Sequence, residues 1–553
     1  MKKLKVILFA LLGILLVFLL ASCNKDKDAG PDLTGADPYG RYEQTLKMTT
    51  AKVDNAAPNL PAGMTMDANP FYDILMEKLN IELSVSWFSA TYSQALALSI
   101  MTGDVTDMIN ILDYLTYKQL VANDLVQPLD GLIEAYGTEY IKNTYKTYGD
   151  DYFDFTTVNG HLMAIPGNNG GYQQNLLWVR KDWLDALNLS PPQTLDEIIN
   201  VAQQFMQKDP GGNGRGNTIG INANREHSFI GVANQFGLET ICYLYGAYPG
   251  AWMEAADGSI YYGSVQPEMK QALARIKSMY EVGVLDMDAF TYDHSFEDIR
   301  MNVYEGRCGL WFTGWGFGYN NPDFYGYAPN AELICYPAPL DSSGNFTYVD
   351  GNTVRSWYAV RKGFSNPEAL IKIMNVCFDA WLGFNQEDFE RVASMRASGG
   401  NWTSAIPTGD FNIVQYDIIP VLGQATKNFI DNGIMDETLI PSDKYMVQQS
   451  AAWADGSSTE KGDWMVWLSR YIGSPETRTG IEKILKPAFH YTTDTMEDKW
   501  TMLYETMERE MYRLILSGEE PIDYFDEFVT QWYEAGGRTI TDEVNQVVRE
   551  SRG

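Results

Sequence analysis

The side chains able to move a proton or hold a metal near neutral pH are sparse in this sequence. His161, His227, His294 and His490 are its four histidines, and their separations leave no two as a local pair. No His-Glu-x-x-His zinc motif, Gly-x-Ser-x-Gly elbow or Walker phosphate loop occurs. One catalytic reading stays open, because a glycoside hydrolase needs only two carboxyls roughly 5–10 Å apart and the chain carries 72 acidic residues. Cys242, Cys308, Cys335 and Cys377 are widely spaced without a Cys-x-x-Cys, which argues against a metal or redox centre. A Cys308–Cys335 disulfide is compatible with an oxidising compartment. Gly314, Gly316 and Gly318 fall short of a dinucleotide fingerprint, since Tyr319 and Asn321 stand where a third glycine is required. Recognition chemistry is abundant by contrast. Tyr (34), Phe (24) and Trp (14) bring aromatics to 13%; such rings fill cores and also make flat floors for the apolar faces of sugars.

Hydropathy periods place these groups on elements. Leu46 and Met48 alternate within a strand over 45–51. Phe71, Ile74, Leu75 and Leu79 stand at helical spacing, and 81–87 alternates again. A second helix over 92–101 stops at Gly103, and Met108–Ile111 enters a buried strand. Strand–helix–strand–helix–strand predicts an α/β fold with a parallel, doubly wound sheet, whose ligands sit beyond the carboxyl ends of its strands. Tyr92, Asn110, Asp113 and Tyr114 fall there. Further on, Val158–Pro166 reads as a tight turn and strand, Gly167–Gly171 as a loop, and 176–179 as another strand. Thr194-Leu195-Asp196-Glu197 is a capping box, opening a helix with Leu195, Ile198, Ile199, Ala202, Phe205 and Met206 on its buried face. Pro367 and Glu368 start a helix with Leu370, Ile373, Met374, Cys377 and Trp381 on one face.

The formal charge of −31, from 41 basic and 72 acidic residues, argues against nucleic acid as a partner, because phosphates demand a basic face, and against polyanionic ligands, a strongly anionic glycan included, unless Arg225 or Arg355 supplies a local basic pocket. At the start, Lys2, Lys3 and Lys5 precede 16 uncharged residues, Val6–Ala21. As a helix that run spans only ~24 Å, short of a membrane-crossing segment, and has the layout of a secretory signal. Leu20-Ala21-Ser22-Cys23 resembles the lipobox of bacterial lipoproteins, which implies lipidation of Cys23 and an extracytoplasmic, membrane-anchored chain. Residues 24–42 read as a flexible linker. Such tethering suits a cell without an enclosed periplasm, and a Gram-positive bacterium is the expected source.

Gly103–Asp107, Gly160–Pro166 and Leu177–Phe205 resemble the extracellular solute-binding proteins of ABC importers, family 1. Met511–Glu519, Ile522–Phe528, Trp532, Gly536-Gly537 and Glu543–Asn545 resemble the ending of the large lipoprotein subgroup that includes alginate- and fructooligosaccharide-binding proteins. The resemblance implies a two-lobed periplasmic-binding-protein-like fold (type II), with residues 43–160 and 360–440 in one lobe and 161–359 and 441–553 in the other. Crossovers are expected near Asp154–Pro166 and Arg355–Arg361. It also implies a monomeric, non-enzymatic receptor that captures an oligosaccharide in the interlobe cleft and delivers it to the permease. A glycoside hydrolase or an adhesin lipoprotein is the alternative. Gly306–Trp315 should form a strand ending at the cleft. Trp315 occupies the place of an aromatic that stacks on ligand in the family, and Trp311 reads as core. Asn168, Asn169, Asn224, Arg225, Trp252, Arg355 and Trp357 are further cleft candidates by position, with side chains suited to directed hydrogen bonds with hydroxyls. Asp209–Asn217 resembles the calcium loop of several relatives in degenerate form. Asp209, Asn213, Arg215 and Asn217 are the candidate ligand positions, with Asp209 the single anion where calcium wants 6–8 oxygens. No other cofactor is expected.

Overall fold

Leu46 and Met48 open β1 (Leu46–Val53), whose inward positions Met48, Thr50 and Ala51 are buried. The following helix, α1 (Pro70–Leu79), is set by local chemistry: the Asn69 side chain accepts from the Phe71 amide, Pro70 fits the first turn, and Asn80 ends it in the left-handed region at φ 57°. Its buried face is Phe71, Ile74, Leu75 and Leu79. β2 (Ile81–Ser89) runs parallel to β1. Helix α2 (Tyr92–Thr102) stops at Gly103, φ 70°. β3 (Met108–Ile111) then pairs parallel to β1 on its other side. α3 (Tyr114–Ala122) follows, and β4 (Ile165–Asn168) ends the first pass through this lobe. The structure is a computed structural model. It describes residues 33, 35–54, 60–223, 235–286, 296–337, 339–351, 353–397, 402–409 and 411–552. The leader and Cys23 lie outside them.

The second lobe is built on β5 (Leu176–Arg180), an almost wholly buried strand flanked antiparallel by β6 (Leu310–Thr313) and β7 (Leu333–Tyr336). The capping box at Thr194 and Glu197 forms, and it opens α4 (Leu195–Lys208). Leu195, Ile198, Val201, Ala202 and Phe205 are its buried residues; Ile199 and Met206, expected inside, are only half-buried. After β8 (Phe346–Val349) the chain returns to the first lobe as β9 (Val354–Val360), inserted between β3 and β4 and antiparallel to both. The expected all-parallel sheet is therefore mixed, in the order β2-β1-β3-β9-β4, because β9 enters from the opposite side after its excursion. Helix α5 (Ala369–Leu382) covers it and buries Cys377. Helices α6 (Ile418–Asn432) and α7 (Pro441–Ala454) come next; Gly423 of α6 abuts Ser474 and Pro475 of the second lobe. β10 (Ile481–Leu485) pairs parallel with β8.

Three segments cross between lobes: 169–175, 350–353 and 412–417. Asn169 N donates to Thr353 O at 3.1 Å, Gly171 N to Tyr416 O at 2.7 Å and Asn168 N to Asn412 O at 2.8 Å, which laces them side by side. Of the expected crossovers, Asp154–Pro166 falls instead on the end of a 3-10 turn, a short hairpin (157–158 with 161–162) and the start of β4, and Arg355–Arg361 falls mostly on β9, all in the first lobe. The first lobe thus runs on to residue 168 and regains 354–360, and the last crossing precedes α6 rather than following residue 440.

Trp311 is fully buried, as are the four cysteines Cys242, Cys308, Cys335 and Cys377, all free thiols. Near the C-terminus α8 (Asp494–Trp500) runs through a wider-turned stretch, Thr501–Glu508, into α9 (Arg509–Ser517). Glu508, 1% exposed, accepts hydrogen bonds from the Tyr262 hydroxyl at 3.0 Å and the Tyr512 hydroxyl at 2.7 Å. Burial pushes its carboxyl up to about 7.

Candidate functional site

Where the crossings meet the second lobe, a cavity of about 400 Å³ opens. Its aromatic wall is Tyr243, Trp252, Tyr348, Phe489, Tyr491 and Trp500. The Trp252 indole lies 5.0 Å from the Tyr262 ring and 6.2 Å from Trp500, so the wall continues into the second-lobe core and is held rigid. Gln173, Gln174, Asp350, Thr353 and Arg355 bring polar groups from the crossings and their flanks. Asp350 is buried, and its two oxygens accept from Tyr348 at 2.8 Å and Tyr416 at 2.6 Å. Since Tyr348 also receives the Gln173 amide at 3.1 Å, one carboxylate joins all three crossings. Burial raises its pKa against the hydrogen bonds from the two phenols.

Beneath the wall, Glu239 is buried and accepts from Asn175 at 2.6 Å; burial raises its carboxyl well above the ordinary range. His490 differs in kind. Its ring is exposed toward the cavity while protein packs around it, and this desolvation pushes its pKa down to about 4. At neutral pH it presents an uncharged imidazole, one donor and one acceptor. Tyr491, its neighbour, reaches across the cleft: its ring sits 4.4 Å from Tyr114 and 4.0 Å from Phe155 of the first lobe. Beside it Lys118 of α3 pairs with Asp494 at 2.6 Å and Glu497 at 3.5 Å. The strap of residues 487–492 therefore belongs to the second lobe by connection and to both by contact.

Asp350 is engaged by two tyrosines and Glu239 by Asn175, so both buried acids of the wall are hydrogen-bonded within the protein. No cluster of three or more His, Cys, Asp or Glu suited to a metal occurs among the described residues.

Of the sequence candidates, Trp252 and Arg355 line the cavity. Asn168 and Asn169 sit in the first crossing and its flank: Asn168 Oδ1 accepts from Tyr148 at 2.7 Å and Val414 N at 2.9 Å, a role that braces the hinge. Tyr114 is an interlobe contact. Tyr92 is buried, donating to Asn110 O at 2.9 Å, and Asn110 lies on β3 away from the cavity. Asp113 caps α3, accepting from Thr116 N at 2.8 Å. Trp357 is buried in the first-lobe core, its ring 6.2 Å from Tyr114. Trp315 stands one residue removed from the cavity; its Nε1 donates to Gln173 Oε1 at 3.3 Å, and Arg470 lies over its ring at 4.4 Å. A backbone held this close requires Gly473, where a Cβ would come within 2.2 Å of Trp315 O. Trp315 therefore carries Arg470 on its ring rather than standing as a bare platform. Asn224 and Arg225 lie outside the described residues. Gln173, Glu239, Tyr348, Asp350 and His490 were missed, each being unremarkable in its own stretch.

The loop at Asp209 does not fit calcium. Asp209 Oδ1 accepts from Asn213 N at 2.9 Å and Thr218 Oγ1 at 2.6 Å, and Oδ2 accepts from Gly214 N at 2.8 Å. Asn213 Nδ2 donates to Thr218 Oγ1 at 3.1 Å and Gly306 O at 3.0 Å, and Asn217 Nδ2 donates to Asn213 O at 2.9 Å. Arg215 adds a cation. The loop points its amides inward at one carboxylate, the reverse of an oxygen cage. Adding calcium in excess over chelator is expected to leave the melting temperature unchanged in differential scanning calorimetry; a saturable rise would restore the ion.

Residues 47–380, more than half of the chain, match the family described as bacterial extracellular solute-binding proteins. The chain belongs to that family. Among curated proteins, it is 25% identical over 322 residues to the fructooligosaccharide ABC transporter substrate-binding protein FusA of Streptococcus pneumoniae, covering 53% of this chain and 55% of that one. It is 27% identical over 217 residues to the polygalacturonan/rhamnogalacturonan-binding protein YtcQ of Bacillus subtilis, covering 38% and 41%. The chain thus spans about half the length of the curated relatives it matches. Among solved structures, a human-milk-oligosaccharide-binding solute-binding protein of Bifidobacterium longum infantis superposes over 91% of this chain and 98% of its own, at TM-score 0.59 and 14% identity. The two-lobed α/β solute-binding fold is common to both.

Proposed function

We propose that this member of the solute-binding family is the receptor of an ABC importer, capturing an oligosaccharide between its lobes and handing it to a membrane permease. The observation that carries this reading is the cavity itself: rigid aromatic walls, directed polar groups, and a position against three laced crossings about which the lobes can close. The likeness to FusA, a fructooligosaccharide-binding protein, and to the oligosaccharide-binding protein of Bifidobacterium supports it. The lipobox-like Leu20–Cys23 supports a lipid anchor on Cys23 at the extracytoplasmic face, with the monomer held near its permease by residues 24–42; a cell without an enclosed periplasm, hence a Gram-positive source, suits that arrangement. No helix among the described residues is long and apolar enough to cross a membrane.

Calorimetry against a glycan panel tests the reading, with the sugar recovered and sized afterwards. Saturable binding with intact sugar is expected; cleavage turns the case to a hydrolase, and absence of binding removes the oligosaccharide. His490→Ala is expected to weaken the best-bound glycan about tenfold, the worth of one directed hydrogen bond. Unchanged thermal unfolding would accompany it, since the ring is exposed to the cavity. Unaltered affinity would take His490 out of the site.

A further inference from the structure

We propose that Arg355 selects glycans bearing a sugar carboxylate, which docks on its guanidinium as the lobes close. The inference rests on the oligosaccharide-receptor reading above.

Arg355 is the extra residue of a β-bulge. Val354 pairs with Asn168 and Ser356 with Gly167, so two residues of β9 face one step of β4. Bulges re-aim side chains and gather beside functional sites; here Arg355 is exposed in the cavity wall while Val354 and Ser356 on either side are buried. Its Nε donates at 2.9 Å to the Asn169 side-chain oxygen, in the amide orientation that also lets Asn169 Nδ2 reach Asn168 O at 3.1 Å. That bond engages Nε of this cavity-lining residue and leaves its two Nη groups for other partners. Such a planar pair matches a carboxylate with two parallel hydrogen bonds.

Among the described residues Arg355 makes no ion pair, whereas Arg361 at the end of the same strand holds Asp107 at 3.0 and 2.6 Å. The acids of the cavity wall are engaged elsewhere: Asp350 accepts from Tyr348 and Tyr416, and Glu239 is buried and accepts from Asn175. Closing the lobes takes the guanidinium out of water. An uncompensated cation resists that transfer, and a ligand carboxylate removes the resistance. A neutral sugar does not. The net charge of −31 does not overrule this local preference, because charges beyond about 8 Å are screened at physiological salt.

The test is calorimetry on the whole protein with paired probes: trigalacturonate, trimannuronate and sialyllactose, each beside its carboxyl-reduced counterpart. The expected result is that one acid binds about 30-fold or more tightly than its reduced form, and that Arg355→Gln abolishes the difference. Arg355→Lys should recover only part of it, since it keeps the charge and loses the fork. Which acid binds separates uronate from sialate. A reduced form that binds as tightly as its acid, or an acid whose affinity survives Arg355→Gln, overturns the proposal while leaving the receptor reading intact. If no acid and no neutral sugar of any pair binds, the oligosaccharide reading falls with it. Unchanged melting curves for both variants show that the fold is intact.

Discussion

Asp350→Ala is expected to lower unfolding stability by about 2–4 kcal/mol, the cost of leaving one buried and one half-buried phenol without their acceptor. It should also weaken glycan binding at least about tenfold, because the lobes then close on a slacker hinge. The reason is geometric. Tyr348 leads out of the second lobe, Tyr416 leads into α6, and Gln173 N bonds Tyr348, so Asp350 is where the three crossings are tied. Lys486, near the Tyr416 ring, helps to keep the carboxylate ionised. Urea denaturation and calorimetry read the two effects. Tyr416→Phe, which removes one donor, should cost about 1 kcal/mol, and the pair of changes should be non-additive because they share a bond. A loss below about 0.5 kcal/mol for Asp350→Ala would show that the tie is decorative.

Glu508→Gln should stabilise the protein, and only away from acid. Burial raises the folded carboxyl to about 7 from an ordinary 4.5. The folded state therefore holds its proton more tightly than the unfolded chain, and between those two values stability falls as pH rises. Below about pH 4.5 both states are protonated and nothing is lost; above about pH 7 the whole penalty, on the order of 3 kcal/mol, is present. Glutamine keeps the shape, stays neutral, and can still meet Tyr262 and Tyr512. The variant should accordingly gain about 2–4 °C in melting temperature at pH 8 and almost nothing at pH 4.5. An equal gain at both values would mean that packing, not the proton, is responsible.

Local patterns in the sequence reported local structure well. The Thr194–Glu197 box, the Gly103 stop and the stripe through Cys377 all form, because each depends on residues within a turn or two. Direction was not legible: a strand's period of two is the same for β9 whichever way it runs, so the sheet was expected to be parallel throughout. Asp113 shows a different failure. Its place beyond a strand suggested ligand contact, yet an acid one residue before a helix is also a cap, and that is its role. The cavity was the least legible part. It is gathered from 173–174, 239–252, 348–355 and 487–500, and sequence spacing says nothing about which isolated residues meet. His490 was discounted for being alone in the chain and has Arg355 and Trp252 on the same cavity wall.

The insertion of β9 between β3 and β4 also bears on how this molecule comes into being. The first lobe cannot finish its sheet until all of 169–353, the bulk of the other lobe, has been made. A chain emerging from its N-terminal end thus carries an incomplete sheet with a vacant central slot for most of its synthesis. Such long-range closure is slow, so completion of the first lobe waits on a strand made long after its neighbours.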